Sequence, residues 1–220
     1  MKITLKLAHR DLEITWPDDL VADAKLLDES HPYFLLTKTK AKTQVYLNKY
    51  RELLSDLPQG MRVQEFCGGI GLVALATWDV LNPKDWTAIE LDKSCIAAHC
   101  CSTVKVVHGD IYEVQDIFGD LITMDFPNNT LPKMWREPQR NALLHRIADA
   151  KPKYWEITDV AYYWMHLPNH WPHYQKRFGV IPNKRNYAEL FDRYMREEFG
   201  YKVFRHRTTN GAQLYLMTPV

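Results

Sequence analysis

Four acidic residues of this 220-residue chain close apolar runs in turn: Glu65 after Met61-Arg62-Val63-Gln64, Glu90 after Trp86-Thr87-Ala88-Ile89, Asp110 after Val104-Lys105-Val106-Val107-His108-Gly109, and Asp125 after Leu121-Ile122-Thr123-Met124. Carboxylates at strand ends accept hydrogen bonds at the edge of a sheet, where a ligand rich in hydroxyl and amino groups can meet them. Glu65 is followed by Phe66-Cys67-Gly68-Gly69-Ile70-Gly71 and then by the helical run Leu72-Val73-Ala74-Leu75-Ala76. Glycines at 69 and 71 allow a sharp turn and let a ligand lie against bare backbone, while the helix behind offers N–H groups that have no helical partner. A nucleotide-like cofactor fits that arrangement. Glu90, nineteen residues beyond Gly71, stands where a ribose diol needs acceptors. Taken alone, Gly69-Ile70-Gly71-Leu72-Val73-Ala74 also passes as the Gly-x-Gly-x-x-Ala form of a dinucleotide fingerprint.

The elements that must hold these residues alternate. Strands are expected at 62–66, 86–90, 104–108, 120–125 and 154–158, with helices at 70–81, 93–101 and about 137–149 between them. Before them lie one or two strands in residues 1–16, with a turn at His9-Arg10-Asp11. An amphipathic helix follows at about 43–56, its Leu47, Tyr50, Leu53, Leu54 and Leu57 on one side. After them comes an irregular insert at about 160–186. A strongly patterned helix then carries Tyr187, Leu190, Phe191, Tyr194, Met195 and Phe199 on one face, with Gly200 placed to cap it. Asn210-Gly211 between two apolar runs signals a closing hairpin. An antiparallel pair at the end of an alternating β/α chain argues against the six-strand parallel dinucleotide fold.

With these four stations in order, the chain from about Met61 to Val220 resembles the class I S-adenosylmethionine-dependent methyltransferases. The resemblance implies an α/β three-layer sandwich, its seven-stranded, mostly parallel sheet ending in an antiparallel hairpin. Residues 1–60 would form an N-terminal strand and helix cap, and 61–220 the methyltransferase domain, with a substrate-side insert at about 160–186. It implies S-adenosyl-L-methionine as cofactor and S-adenosyl-L-homocysteine as product. Glu65, Gly69 and Gly71 would receive the methionine part, Glu90 the ribose hydroxyls, and Asp110 and Ile111 the adenine, with Cys67 and Leu91 also cofactor-binding and Asp125 at the cofactor's reactive end. Cys67 stands where the family has the first glycine of the loop, which a small side chain tolerates if φ stays negative.

Asp125, Pro127 and Asn128 fall at the methyl-transfer station and are the candidate catalytic residues. Displacement at a sulfonium needs the nucleophile aimed and its proton controlled, which a carboxylate can do. Amino-methyltransferases of this class usually carry Asp/Asn-Pro-Pro-aromatic, whereas this chain reads Asp125-Phe126-Pro127-Asn128. Stacking on a planar substrate therefore falls to Phe126, Trp135 or one of Tyr162, Tyr163 and Trp164, of which Tyr163 is the chosen candidate. His170, Lys176 and Arg177 are further candidates for substrate contact. The histidines at 166, 170 and 173 lack interleaved acids, so no metal site is expected.

Net charge is only +1, but residues 61–150 hold 8 Lys and Arg against 12 Asp and Glu, whereas residues 151–220 hold 11 against 6. A basic C-terminal third, with aromatic residues available for stacking, favours DNA or RNA as acceptor. The alternatives are a small-molecule or protein N- or O-methyltransferase, or a catalytically silent scaffold that binds the cofactor. The N-terminus reads as a strand and not a secretion signal, no apolar run is long enough to span a membrane, and the four cysteines show no Cys-x-x-Cys spacing. The expected setting is the cytoplasm.

Overall fold

The computed structural model describes residues 1–20, 36, 39–124, 137–159, 171–181, 183, 185–209 and 212–220. Two strands, β1 (Lys2–Lys6) and β2 (Asp11–Thr15), form an antiparallel hairpin of their own. Their alternation of apolar and polar residues points Ile3, Leu5, Leu12 and Ile14 into the core. Helix α1 (Lys40–Leu54) buries Leu47, Tyr50, Leu53 and Leu54, and Leu57 just beyond it is buried too.

The main sheet has seven strands. It is built from β3 (Arg62–Phe66), β4 (Asp85–Glu90), β5 (Lys105–His108), β6 (Leu121–Met124), β7 (Tyr154–Asp159), β8 (Tyr201–Thr208) and β9 (Gln213–Pro219), in the order β5-β4-β3-β6-β7-β9-β8. The first five run parallel, and β9 pairs antiparallel with both β7 and β8. Connections lead outward from β3 to β4 and β5, then return to the other side of β3 with β6. The order therefore reverses between β3 and β6. In open α/β sheets a crevice forms beyond the strand ends at such a point.

Two apolar layers cover the sheet. One joins the hairpin, α1 and α2 (Leu72–Leu81) through Trp16, Leu53, Val73 and Trp86. The other packs α4 (Glu137–Ala150) and α6 (Tyr187–Phe199) over Phe66, Ile122, Trp155 and Tyr215. Strands covered on both faces have no solvent side, which is why β3 buries even Gln64 and Glu65. Gln64 is satisfied across the sheet end, donating to the Asp116 carbonyl at 3.0 Å and accepting from the Phe118 N–H at 2.9 Å.

Two expected elements differ from the sequence reading. Helix α3 stops at Ala97 (Lys93–Ala97) instead of continuing to 101. Beyond it the Cys100 N–H leaves the helical ladder to donate to the Ile70 carbonyl at 2.9 Å. The insert is not wholly irregular either, because Trp171–Phe178 forms helix α5. Pro172 lies in its first turn, where a missing N–H breaks no helical bond. The first part of the insert, 160–170, lies outside the described residues.

Met195 is fully buried at the centre of the α4/α6 layer. Its replacement in Met195→Ala is expected to cost about 2–5 kcal/mol of folding stability. Urea unfolding followed by tryptophan fluorescence would measure the loss.

Candidate functional site

The loop after β3 carries three residues in the left-handed region: Cys67 at φ 62°, Gly69 at φ 52° and Gly71 at φ 78°. The expectation of a negative φ at Cys67 is thus overturned. A left-handed L-residue costs about 1–2 kcal/mol, so the surroundings must enforce it. They do so by tying the loop to β4. The Cys67 and Gly68 N–H groups both donate to the Ile89 carbonyl, at 2.9 and 3.3 Å.

The glycines divide the work. A Cβ on Gly68 would stand 2.8 Å from the Ala88 Cβ, so this residue lets the loop lie against β4. A Cβ on Gly71 would meet the His99 ring at 2.4 Å, so Gly71 is needed by the protein's own packing. Among the described residues, a Cβ on Gly69 would meet nothing within 4 Å. Of the three loop glycines it is the one whose backbone no described residue covers, a cradle a side chain would fill.

Glu90 closes the loop from the tip of β4. Its Oε2 accepts from the Gly69 N–H at 2.7 Å, and its Oε1 accepts from the Leu91 and Asp92 N–H groups, both at 2.8 Å. A carboxylate has about four acceptor positions, so these bonds leave room for a further donor. Beside it Leu91 is 60% exposed, an apolar side chain held open at the rim. Glu65 lies below, 1% exposed, and its Oε2 accepts from the Trp86 indole at 2.8 Å. The β5 tip joins the cluster through Gly109, whose N–H donates to the Glu90 carbonyl at 3.0 Å, and through His108, whose Nε2 lies 3.1 Å from the Leu91 carbonyl. Asp110 Oδ1 accepts from the Tyr112 N–H at 2.9 Å, and Ile111 is buried with Phe66, Ile89 and Met124.

Residues drawn from three strand ends therefore meet at one sheet edge: Glu65, Cys67, Gly69, Gly71, Glu90, Leu91, Asp110 and Ile111. Asp125, Phe126, Pro127, Asn128, Trp135, Tyr163 and His170 lie outside the described residues. Lys176 is exposed on α5. Arg177 turns to α6, its guanidinium 2.6 Å from Glu198 and 5.6 Å from the Tyr194 ring centroid. Among the described residues, no group of three or more His, Cys, Asp or Glu could hold a metal ion, and no helix is long and apolar enough to cross a membrane.

Three contributors escaped the sequence reading: Gly68, Trp86 and His99. Nothing local marks Trp86 as the partner of Glu65, because their contact depends on strand pairing. His99 is half-buried against Gly71, and its Nε2 is buried without a partner among the described residues. Burial lowers its pKa below the ordinary histidine value, opposed by a backbone hydrogen bond with Cys101. Burial likewise pushes the neighbouring Cys100 thiol up to about 12, so it stays protonated.

No family model and no curated protein matches the sequence. The solved structures do. A TehB-like S-adenosylmethionine-dependent methyltransferase from Corynebacterium glutamicum superposes with a TM-score of 0.57 at 15% identity, over 87% of this chain and 98% of that one. The fold is that of the class I methyltransferases. The N-methyltransferase NodS from Bradyrhizobium japonicum gives a TM-score of 0.56 at 12% identity, over 81% and 97%. An O-methyltransferase of neocarzinostatin biosynthesis, in complex with S-adenosylmethionine and 2-hydroxy-5-methyl naphthoic acid, gives 0.56 at 14% over 92% and 60%. At these identities the likeness is one of architecture.

Strain at Cys67 gives a direct expectation. Cys67→Gly should keep or raise stability, by up to about 1 kcal/mol, because relief of the left-handed conformation outweighs glycine's greater chain entropy. Cys67→Val should lower it. Thermal unfolding of the two variants checks the sign of each.

His99 gives a second. With its folded pKa below the unfolded value of about 6.5, its neutral form favours the native state, so stability is fully present above that pH. It is lost progressively as pH falls towards the folded pKa. His99→Gln should flatten the stability profile across this acid window, as read by urea midpoints at a series of pH values.

Proposed function

We propose that the chain is an S-adenosylmethionine-dependent methyltransferase. The observation that carries this is the edge formed by the Gly69 cradle, the Glu90 carboxylate and the exposed Leu91 at the sheet's switch point. The residues fit the cofactor's parts. Gly69 would let the methionine chain approach the backbone, Glu90 would accept from the ribose hydroxyls, Leu91 and Ile111 would flank the adenine, and Asp110 would take its amino group. Bound there, the cofactor would supply an electrophilic methyl on a sulfonium.

The work left to the protein is positioning and proton control. Asp125 follows directly on β6 in sequence and is the proposed acceptor of the substrate's hydrogen bond, with Pro127 and Asn128 beside it. Glu65 would act from beneath, through Trp86, by fixing the loop's height above β3.

For the substrate, we favour a small molecule over a polynucleotide. Part of the basic surplus of the C-terminal third faces acids that lie outside it. Lys153 meets Asp120 at 3.0 Å, Arg205 meets Asp56 at 2.7 Å and Arg207 meets Glu52 at 3.7 Å. Paired arginines release few counterions and give a weak hold on phosphates.

Thermal shift with S-adenosylhomocysteine and with NAD tests the reading. The former, at 100 times its Kd, should stabilise by about 2.7 kcal/mol, and NAD should do nothing. Glu90→Ala should weaken S-adenosylhomocysteine binding by about 1.5–3 kcal/mol. Stabilisation by NAD alone would refute the assignment. Binding to DNA or RNA that falls steeply as salt rises would return the substrate to nucleic acid.

A further inference from the structure

The segment after α3 grips the glycine loop. The Cys100 N–H and thiol both donate to the Ile70 carbonyl, each at 2.9 Å. One residue earlier the His99 ring lies against Gly71, its Cε1 and Nε2 edge in the space that a side chain there would take. Two consecutive residues of the segment thus hold two consecutive residues of the loop. Gly71 passes the hold on. Its N–H donates to the Gly68 carbonyl at 2.9 Å, closing the turn that carries Gly69, and its own carbonyl accepts the first bond of α2, from the Leu75 N–H at 3.0 Å.

This contact suits only one protonation state of the ring. His99 Nε2 is buried and has no hydrogen-bond partner among the described residues. A neutral ring with its proton on Nδ1 presents only a lone pair there, whereas the imidazolium carries N–H on both nitrogens. The Nε2–H of the charged ring would be a buried, charged donor turned on the Gly71 backbone with no acceptor. Among the described residues, no charged side chain offsets it. Glu90 and Asp92 act on Cys95 of α3, and Glu65 acts on Cys100, but none of the three acts on His99. The Cys95 and Cys100 thiols, pushed up by burial, stay neutral beside Cys101. The backbone of Cys101 is what favours the charge. To take up a proton, the ring has to turn Nε2 off Gly71 and toward water.

We propose that His99 is a positioning residue for the cofactor: its neutral ring props Gly71, and with it the Gly68–Gly71 turn, where the cofactor needs them, and protonation withdraws the prop. The inference rests on the methyltransferase reading and adds an acid limit on cofactor binding. By reciprocity, bound cofactor makes His99 harder to protonate.

The test uses the intact protein labelled with 15N-glycine and carbonyl-13C isoleucine. These mark the Gly71 amide alone, because Ile70-Gly71 is the one Ile-Gly pair in the sequence. Added 13C-histidine reports His99, its resonance identified by its loss in His99→Gln. Readings stay within the pH range in which tryptophan emission is native. Without cofactor, the Gly71 amide should shift with the same midpoint as His99, below about pH 6.5, and should not follow that course in His99→Gln. A Gly71 amide that stays put while His99 titrates, or a His99 that never titrates in that range, would overturn the prop.

Calorimetry supplies the cofactor side. Affinity for S-adenosylhomocysteine should hold above about pH 7 and fall below the His99 midpoint, approaching about tenfold per pH unit for one proton. His99→Gln, or His99→Asn if the first variant folds poorly, should be flat over the same range. His108→Gln, which alters the histidine beside Leu91, should keep the wild-type fall. The same fall in the His99 variant, or its loss in His108→Gln, would overturn the role of His99. Absence of S-adenosylhomocysteine binding at every pH would strike the methyltransferase reading, while the Gly71 titration would still decide the coupling.

Discussion

The candidate site depends on one constraint: the backbone after β3 must bend away from the sheet without leaving its polar groups unpaired. Left-handed residues at 67, 69 and 71 make the bend, and the tip of β4 satisfies it. The Ile89 carbonyl takes two N–H groups and the Glu90 carboxylate takes a third. Glu90 thus holds the loop's shape as well as being the expected ligand acceptor. A ligand that bonds this carboxylate meets an oxygen already aimed by its neighbours, so little ordering remains to be done on binding.

Much of this was legible in the sequence, because the strands are short apolar runs that end in acids or turn residues. β3 and α6 fall at the expected limits, and the closing hairpin lies where Asn210-Gly211 placed it. The number of strands in the sheet was readable only through resemblance, and their order not at all. The misses share a physical origin. Cys67 adopts a positive φ because β4 imposes it, and no local signal carries that. α3 is short because Cys100 answers to Ile70, thirty residues away. The insert was expected to be irregular, yet Pro172 sits in the first turn of a helix, since a proline stops a helix only when helix precedes it. Gly71 illustrates the same lesson within the site: its type was informative, and folding adds a reason no local signal carries, the His99 ring that a side chain there would meet.

Charge reads differently along the chain and across the fold. A surplus of basic residues over 151–220 is real in the sequence, yet folding sets Arg205 against Asp56 and Arg207 against Glu52. These acids come from the first sixty residues. What looked like a stripe along the chain becomes a seam between α1 and the edge strand β8. There Phe204, at the bulge that interrupts the β8–β9 pairing, is the exposed residue, with the Arg205 guanidinium 5.4 Å from its ring centroid. A bulge and charged side chains on an outer strand also discourage pairing with another sheet.

Trp86 joins the two halves of this picture. Its indole N–H donates to Glu65 under the glycine loop, and its ring stacks on Trp78 of α2 with centroids 6.0 Å apart and planes 21° from parallel. Two stacked indoles couple their electronic transitions, and here one of them is hydrogen-bonded to a carboxylate directly beneath the loop. The protein therefore carries a built-in optical gauge. A tilt of the loop that moved Glu65 would alter the polarity around one indole and the overlap of both, turning a displacement at the sheet edge into a change in near-ultraviolet dichroism and emission.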